Sequence, residues 1–519
     1  MKNRMEQHTP YFLGMAVIYS ICFAIAFYKN YIGITFPLIT ALTLAMCALY
    51  LKKNEVAWKK SSWLYAGVCF LLGISTILTT SLFVIFFNTV GILLLITVFM
   101  LRQMYDDRDW NFGQYFVNLL FLYLNMIPEV AAPILHLLRY LKAHRKEERK
   151  NKGLKYILLG ILIGLPMLVF VILLLSSADQ VFSNVVGETF YKLFSQVLFS
   201  PNVVLVILLM ILGFFGIYSF LSALSLNNMP ESKSGAKKRN PLTAITFLSM
   251  VTVIYVIFCV IQVVFLFTGG MLLPKGYTYA EYAHQGFFQL LFVCIFNLIL
   301  VVSCIALFDK NRILNFLLLL FSGCTYVMIA SSAFRMILYI RTYHLSFLRV
   351  LVLWFLALLA VMMAGVALAV LRRQFGLFRY CMVVAAAFYL VFSFGRVDVL
   401  VAEYNVAQMG EDISYEDLEY LVSLSMDTVP TLSGYRFEHK GCIQQGGTYV
   451  EEYDYYTPAG IWDYDLAGRA ILEKGCKRCL LNKTFHRVLE CTEGMTFRTF
   501  HMSKYMAREA AKAYFEGET

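Results

Sequence analysis

Runs of about twenty apolar residues recur along this chain, and no other feature restricts its fold so severely. A helix needs roughly 20 apolar residues to cross the ~30 Å hydrocarbon core of a bilayer. Within that core every backbone N–H and C=O must be paired internally, which helices do. Eleven such runs are present, at 12–28, 31–51, 63–80, 82–101, 156–175, 202–223, 242–268, 286–307, 315–336, 348–370 and 380–395. Of 519 residues, 60% are hydrophobic and 15% charged, against about 25% charged in soluble domains. A soluble chain this apolar could not cover itself with polar surface. The expected fold is therefore an all-α polytopic membrane protein of about eleven spans.

A twelfth run, 116–141, is long enough but carries Asn118, Asn125, Pro128, Glu129, Pro133 and His136. Basic loops favour the cytoplasmic side. The basic loops at 52–60, 139–155, 227–240, 308–312 and 371–379 share one side if 116–141 does not cross fully. With the N-terminus inside, the inner segments up to residue 395 then hold 25 Lys+Arg and the outer ones 6. The run 116–141 is accordingly read as a re-entrant or interfacial element broken at its prolines. In the outer segment 176–200, Phe182, Val185, Val186, Phe190, Leu193, Phe194 and Val197 recur at helical spacing. That pattern predicts an amphipathic helix on the membrane surface.

Charge reverses near Gly395. Residues 1–395 hold 31 Lys+Arg against 13 Asp+Glu, and 396–519 hold 13 against 20. The chain divides on this reading into 1–141 (four spans and the broken element), 142–395 (seven spans) and a small extracytoplasmic domain, 396–519, α-rich or mixed α/β. In that domain Ser414, three residues before Asp417, predicts a helix N-cap, with Pro430 ending the helix. Loops or short strands are expected over 432–461, and helices at 464–474 and 503–515. The net charge of +11 suits loops lying on an anionic bilayer, so no nucleic-acid partner is needed.

Polar residues gather at the predicted outer helix ends. Asp179, Glu281, His284, Arg335, Tyr339, Arg349, Asp398 and Asn405 form this set, with Arg341, His344, Arg396 and Glu403 beside them. Charges near membrane depth are costly and turn toward a bundle interior or a wet cavity. A polar pocket with arginines paired to carboxylates is the functional reading. Snorkelling or structural ion pairs are the plainer and favoured one. Asn88, Gln262 and Asn297 are expected to hydrogen-bond between helices. Cys442, Cys476, Cys479 and Cys491 are disulfide candidates on an oxidising face, with three connectivities if all four pair. CKRC at 476–479 lacks the second CxxC of a zinc site, and neither a metal nor another cofactor is expected.

The stretches SSADQVF, EYAHQGFFQLL, FRMILYIRTYHLSFLRV, GRVDVLVAEYN and DLEYLVSLSMDTVPTL resemble a bacterial multi-pass membrane family, domain of unknown function 4173, with 4153 as its near relative. The resemblance covers roughly 150–435, with a weaker echo in FRTFHMSKYMAREA (497–510). His344-Leu-Ser departs from the Gly-Leu-Thr expected at that point. The resemblance implies a bacterial, Gram-positive, cytoplasmic membrane and no established activity. HExxH, GxSxG and Walker-loop signatures are absent, and the outer loop at 29–31 lacks the carboxylate typical of lipid-linked glycosyltransferases. Partners in this reading are the bilayer and a membrane or envelope protein. A non-catalytic sensing, regulatory or complex-partner role comes first. A transporter or flippase is second, and a membrane enzyme with an outer polar site third.

Overall fold

A computed structural model describes residues 5–30, 32–107, 110, 112–143, 160, 164, 168, 171, 175, 179, 182, 201–226, 238–264, 287–372, 375–438, 442–445, 448–451 and 476–517. The helices are α1 (Thr9–Phe27), α2 (Thr35–Lys53), α3 (Trp63–Leu78), α4 (Leu82–Met104), α5 (Phe112–Glu129), α6 (Ala132–Ala143), α7 (Pro201–Ser225) and α8 (Pro241–Gln262). After these come α9 (Phe287–Leu307), α10 (Arg312–Tyr343), α11 (Phe347–Leu371), α12 (Leu377–Phe394), α13 (Val397–Met409), α14 (Tyr415–Leu424), α15 (Lys477–Thr492) and α16 (Met502–Glu516). A two-stranded antiparallel hairpin, β1 (Cys442–Gln445) and β2 (Thr448–Glu451), pairs Cys442 with Glu451.

Among the described residues nine helices are long and apolar enough to span a membrane: α1, α2, α4 and α7–α12. The run at 63–80 forms a 16-residue helix, α3, shorter than a full span. The expected span at 156–175 and the amphipathic helix at 176–200 lie almost wholly outside the described residues. The run at 116–141 is broken, as its prolines suggest: α5 and α6 meet at a 56° bend. Pro128 lies in the last turn of α5 and Pro133 in the first turn of α6, where the missing N–H and ring sterics interrupt the helical ladder.

The chain forms two compact units, and these cut it differently from the boundaries expected at 141 and 395. The first comprises 1–31, 41–58 and 117–230. In it α1 packs on α7 with Gly213 against Phe23, where a Cβ would come within 2.9 Å of the Phe23 Cβ. His136 of α6 meets the Tyr218 hydroxyl at 2.9 Å, and Glu6 pairs with Arg139.

The second unit comprises 32–40, 59–116 and 231–519, so the C-terminal helices belong to the same unit as α3, α4 and α8–α12. Gly365 lets the Tyr380 ring lie on α11; a Cβ there would fall 2.1 Å from that ring. The three polar residues expected to bond between helices do so. Asn88 meets Ser75, Tyr389 and Ser393. Asn297 meets Tyr255 and Thr325, and Gln262 meets Ser331 and Arg335.

Connections within this unit sort into two groups. Ile34 donates to the Phe500 carbonyl at 2.9 Å, Thr80 bonds Asp427, and Leu345 bonds Asn405. These contacts gather the turns before α2, α4 and α11 onto α13–α16. In the other group Arg239 donates to the Leu307 carbonyl at 2.8 Å, and Lys59 donates to Gln103 at 2.9 Å. There Tyr115 also stacks on Phe378 at 3.9 Å between ring centroids. Lys59, Arg239 and Phe378, from the stretches 52–60, 227–240 and 371–379, belong to this second group.

The C-terminal helices carry their own apolar stripe. Leu481, Phe485 and Val488 of α15 face Ala507, Ala511 and Tyr514 of α16, all buried, with Phe485 edge-on to Tyr514 at 4.8 Å. Burying a side chain of Leu or Phe size stabilises by about 1.5–3 kcal/mol. The Ser414 cap forms as expected, accepting from the Asp417 amide at 3.0 Å. The helix that follows stops at Leu424, before Pro430. Ser425 breaks it by turning extended and capping a 3-10 turn, Met426–Thr428; Pro430 then sits in a separate helical turn, Val429–Leu432.

Candidate functional site

Two carboxylates, Asp398 and Asp427, are buried together where the C-terminal helices meet the α3–α4 turn (3% and 1% exposed). Hydroxyl-bearing residues surround them. Thr79-Thr80-Ser81 interrupts the apolar sequence between α3 and α4, with Thr79 and Ser81 buried and Thr80 half-buried. The Asp427 carboxylate accepts from Thr79 Oγ1 at 2.5 Å, Thr80 N at 2.8 Å and Thr80 Oγ1 at 2.7 Å. Ser503 Oγ, one residue into α16, donates a further short bond. These donors compensate a charge that burial alone would penalise.

Asp398 lies in the first turn of α13, where the helix dipole favours an anion. The Ser81 and Ser425 hydroxyls approach it, but burial, reinforced by the neighbouring Asp427 charge, raises its pKa. His501 closes the cluster as the N-cap of α16, its Nδ1 accepting from the Lys504 amide at 3.4 Å. Burial, with Lys504 adding to it, pushes the imidazole down to about 4, so the ring is neutral near pH 7. Nδ1 as acceptor leaves the proton on Nε2.

The structure brings part of the predicted polar set together and separates the rest. Asn405 of α13 clamps the turn between α10 and α11, accepting from Leu345 N and donating to Leu345 O, both at 2.8 Å. The preceding residue, His344, has φ 61° and ψ −175°, a region essentially reserved for glycine. This is the position where the resemblance called for Gly. Arg349 donates to the Tyr343 and His344 carbonyls and stacks its guanidinium 4.4 Å from the Tyr339 ring. It thereby caps the C-terminal end of α10.

Arg335 is buried, and its Nη2 donates to Gln262 Oε1 at 3.2 Å, an oxygen that also accepts from Ser331 at 2.6 Å. Asp398 sits instead with Ser81, Ser425 and Asp427. Asp179 belongs to the other compact unit and accepts from the Phe182 amide at 3.0 Å. Glu281 and His284 lie outside the described residues. Cys476 caps α15, its Sγ accepting from the Cys479 amide at 3.5 Å, while Cys491 is exposed on the last turn of the same helix. The backbone of Cys442 lies on β1; its side chain is outside the described set.

Sequence reasoning passed over Asp427, Thr79, Thr80 and Ser503. A signal was present: three hydroxyl residues in a row between two apolar helices have to find partners. The arrangement favours a proton on the buried Asp398 carboxyl and fastens three chain segments at one buried point. Among the described residues no group of three or more His, Cys, Asp and Glu side chains is arranged to hold a metal ion.

Against known proteins, a family profile described as Domain of unknown function (DUF4153) matches residues 66–435. That stretch contains Thr79, Thr80, Ser81, Asp398, Asn405 and Asp427 and stops before Ser503. No curated protein and no solved structure matches the chain.

Proposed function

The chain belongs to the DUF4153 family, and from that premise we propose a non-catalytic protein of the bacterial cytoplasmic membrane. Its N-terminus lies inside and its C-terminal helices outside, and its task is envelope sensing, regulation or service as a subunit of a membrane complex. The narrower kinship with the 4173 family belongs to this proposal. The observation that carries it is the Asp427 junction. One buried carboxylate ties the α3–α4 turn to the N-terminus of α16 across more than 400 residues of sequence. Polar groups at this end are spent on holding helices together, which suits a rigid receiver of signals or partners. Crosslinked affinity purification of the full chain from native membranes tests it. Stable partners should be recovered with the wild type and lost with Asp427→Ala.

A transporter or flippase is the second reading, favoured by the 56° break between α5 and α6, since broken helices line transport pathways. Substrate-dependent flux in proteoliposomes, with no partner above background, would replace the first reading by the second.

A further inference from the structure

A crevice of about 160 Å³ opens where α9, α10 and α11 end together, lined by Phe287, Phe288, Met336, Tyr339, Ser346, Leu348, Arg349 and Val352. Its depth follows from helix length. The 32 residues of α10 extend about 48 Å at 1.5 Å per residue, well beyond the ~30 Å hydrocarbon core. The charged sequence Asp309-Lys310-Asn311-Arg312 holds the start of α10 at one interface. Its last turns, with Tyr339, therefore reach the headgroup layer of the other leaflet, and Arg349, two residues into α11, lies at the same level.

The walls are apolar and aromatic, and the polar groups are confined to Ser346, the Tyr339 hydroxyl and the guanidinium of Arg349. Both hydrogen bonds of Arg349 among the described residues leave from Nη1. Nε and Nη2 remain as the two-pronged edge that matches a phosphate. Tyr339 holds that edge in place by stacking.

We propose that this crevice binds one anionic phospholipid, its phosphate on Arg349 and the glycerol end of an acyl chain between Phe288, Met336 and Leu348. A free phosphate would use the guanidinium but gain nothing from the apolar walls. A phosphocholine lipid would bring its own cation beside the guanidinium of Arg349.

The test is native mass spectrometry of the full chain in detergent, titrated with phosphatidylglycerol or with phosphatidylcholine of the same acyl chains. The wild type should bind phosphatidylglycerol about tenfold more tightly, because the choline cation is repelled by the guanidinium that holds the phosphate. Arg349→Gln should weaken phosphatidylglycerol binding at least fivefold and erase its preference over phosphatidylcholine. Because Arg349 also caps α10, Leu348→Trp serves as the second variant. It keeps the guanidinium, narrows the crevice and should weaken phosphatidylglycerol binding at least fivefold. Equal binding of the two lipids by the wild type overturns the proposal. So does an unaltered phosphatidylglycerol affinity in Leu348→Trp, or full displacement of the lipid by millimolar inorganic phosphate.

Discussion

Asn405 offers both ends of its amide to the backbone of Leu345, with N···O distances of 2.8 Å in each direction. A side chain here does what a neighbouring strand does in a sheet, and it fixes a turn whose first residue, His344, has a positive φ. Removing the side chain leaves a buried N–H and a buried C=O unpaired, at about 1–3 kcal/mol each. Asn405→Ala should therefore lower the thermal midpoint of the detergent-extracted protein by several degrees. An unchanged midpoint would mean that water replaces the clamp.

The same turn yields a stabilising change. A non-glycine residue in this region of φ/ψ costs on the order of 1–3 kcal/mol, partly offset by the greater freedom glycine gives the unfolded chain. His344→Gly should stabilise by about 1 kcal/mol, read as a raised midpoint in the same assay. A lowered midpoint would show that the imidazole contributes contacts that outweigh the backbone strain.

How far the sequence could be read depends on the physics at each position. Span positions were legible because hydrocarbon thickness dictates them: the runs at 202–223 and 348–370 are the helices Pro201–Ser225 and Phe347–Leu371. The extension of α10 to Tyr343 was not, since Arg335 and Arg341 look like helix ends and are tolerated inside one. Helix α15 was missed behind its Lys, Arg and Cys residues, although Leu481, Phe485 and Val488 have helical spacing. Of the site, Asp398 and Asn405 could be named from depth alone. Asp427 could not, because its partners lie more than 340 residues away in a turn without charge.

Asp427 should be the most sensitive position of the junction. Replacing it with Ala strands the donors of Thr79, Thr80 and Ser503, and bonds to a charged acceptor are the stronger kind. A loss of about 3 kcal/mol is expected, with α15–α16 becoming accessible to limited proteolysis while the spans stay protected. Wild-type protease resistance in Asp427→Ala would remove the junction from the account.

Acid should act on the junction in two opposed ways. Folding lowers the His501 pKa to about 4, so the unfolded chain binds a proton between about pH 6.5 and 4 that the folded chain refuses. Stability is lost as pH falls through that window, by about 3 kcal/mol in all. Folding raises the pKa of Asp398, so its contribution is greatest below the unfolded carboxylate value and declines as pH rises through the folded one. His501→Gln should flatten the acid loss, and Asp398→Asn should stabilise near pH 7. Urea titrations at pH 4.5 and 7 check both signs; a His501→Gln profile parallel to the wild type would contradict the first.

The cysteines admit a sharper test than their spacing alone. Cys479 and Cys491 stand twelve residues apart on one helix, about 18 Å, and a disulfide needs Cα atoms within about 7 Å. Cys476, at the cap, is farther still. If all four cysteines pair, the bonds must be Cys442–Cys491 and Cys476–Cys479. In the structure Cys476, Cys479 and Cys491 are thiols; peptide mapping without reduction should recover them as thiols, either of those two bonds would restore the disulfide expectation, and a Cys479–Cys491 link would contradict the helix.

We propose that the Asp427 junction and the C-terminal helices lie on the outer membrane face. Alkaline phosphatase, active only outside the cytoplasm, tests this directly when fused after Gly395 and after Arg239. The account predicts activity from the Gly395 fusion and none from the Arg239 fusion. Activity after Arg239 with silence after Gly395 would invert the molecule and contradict it.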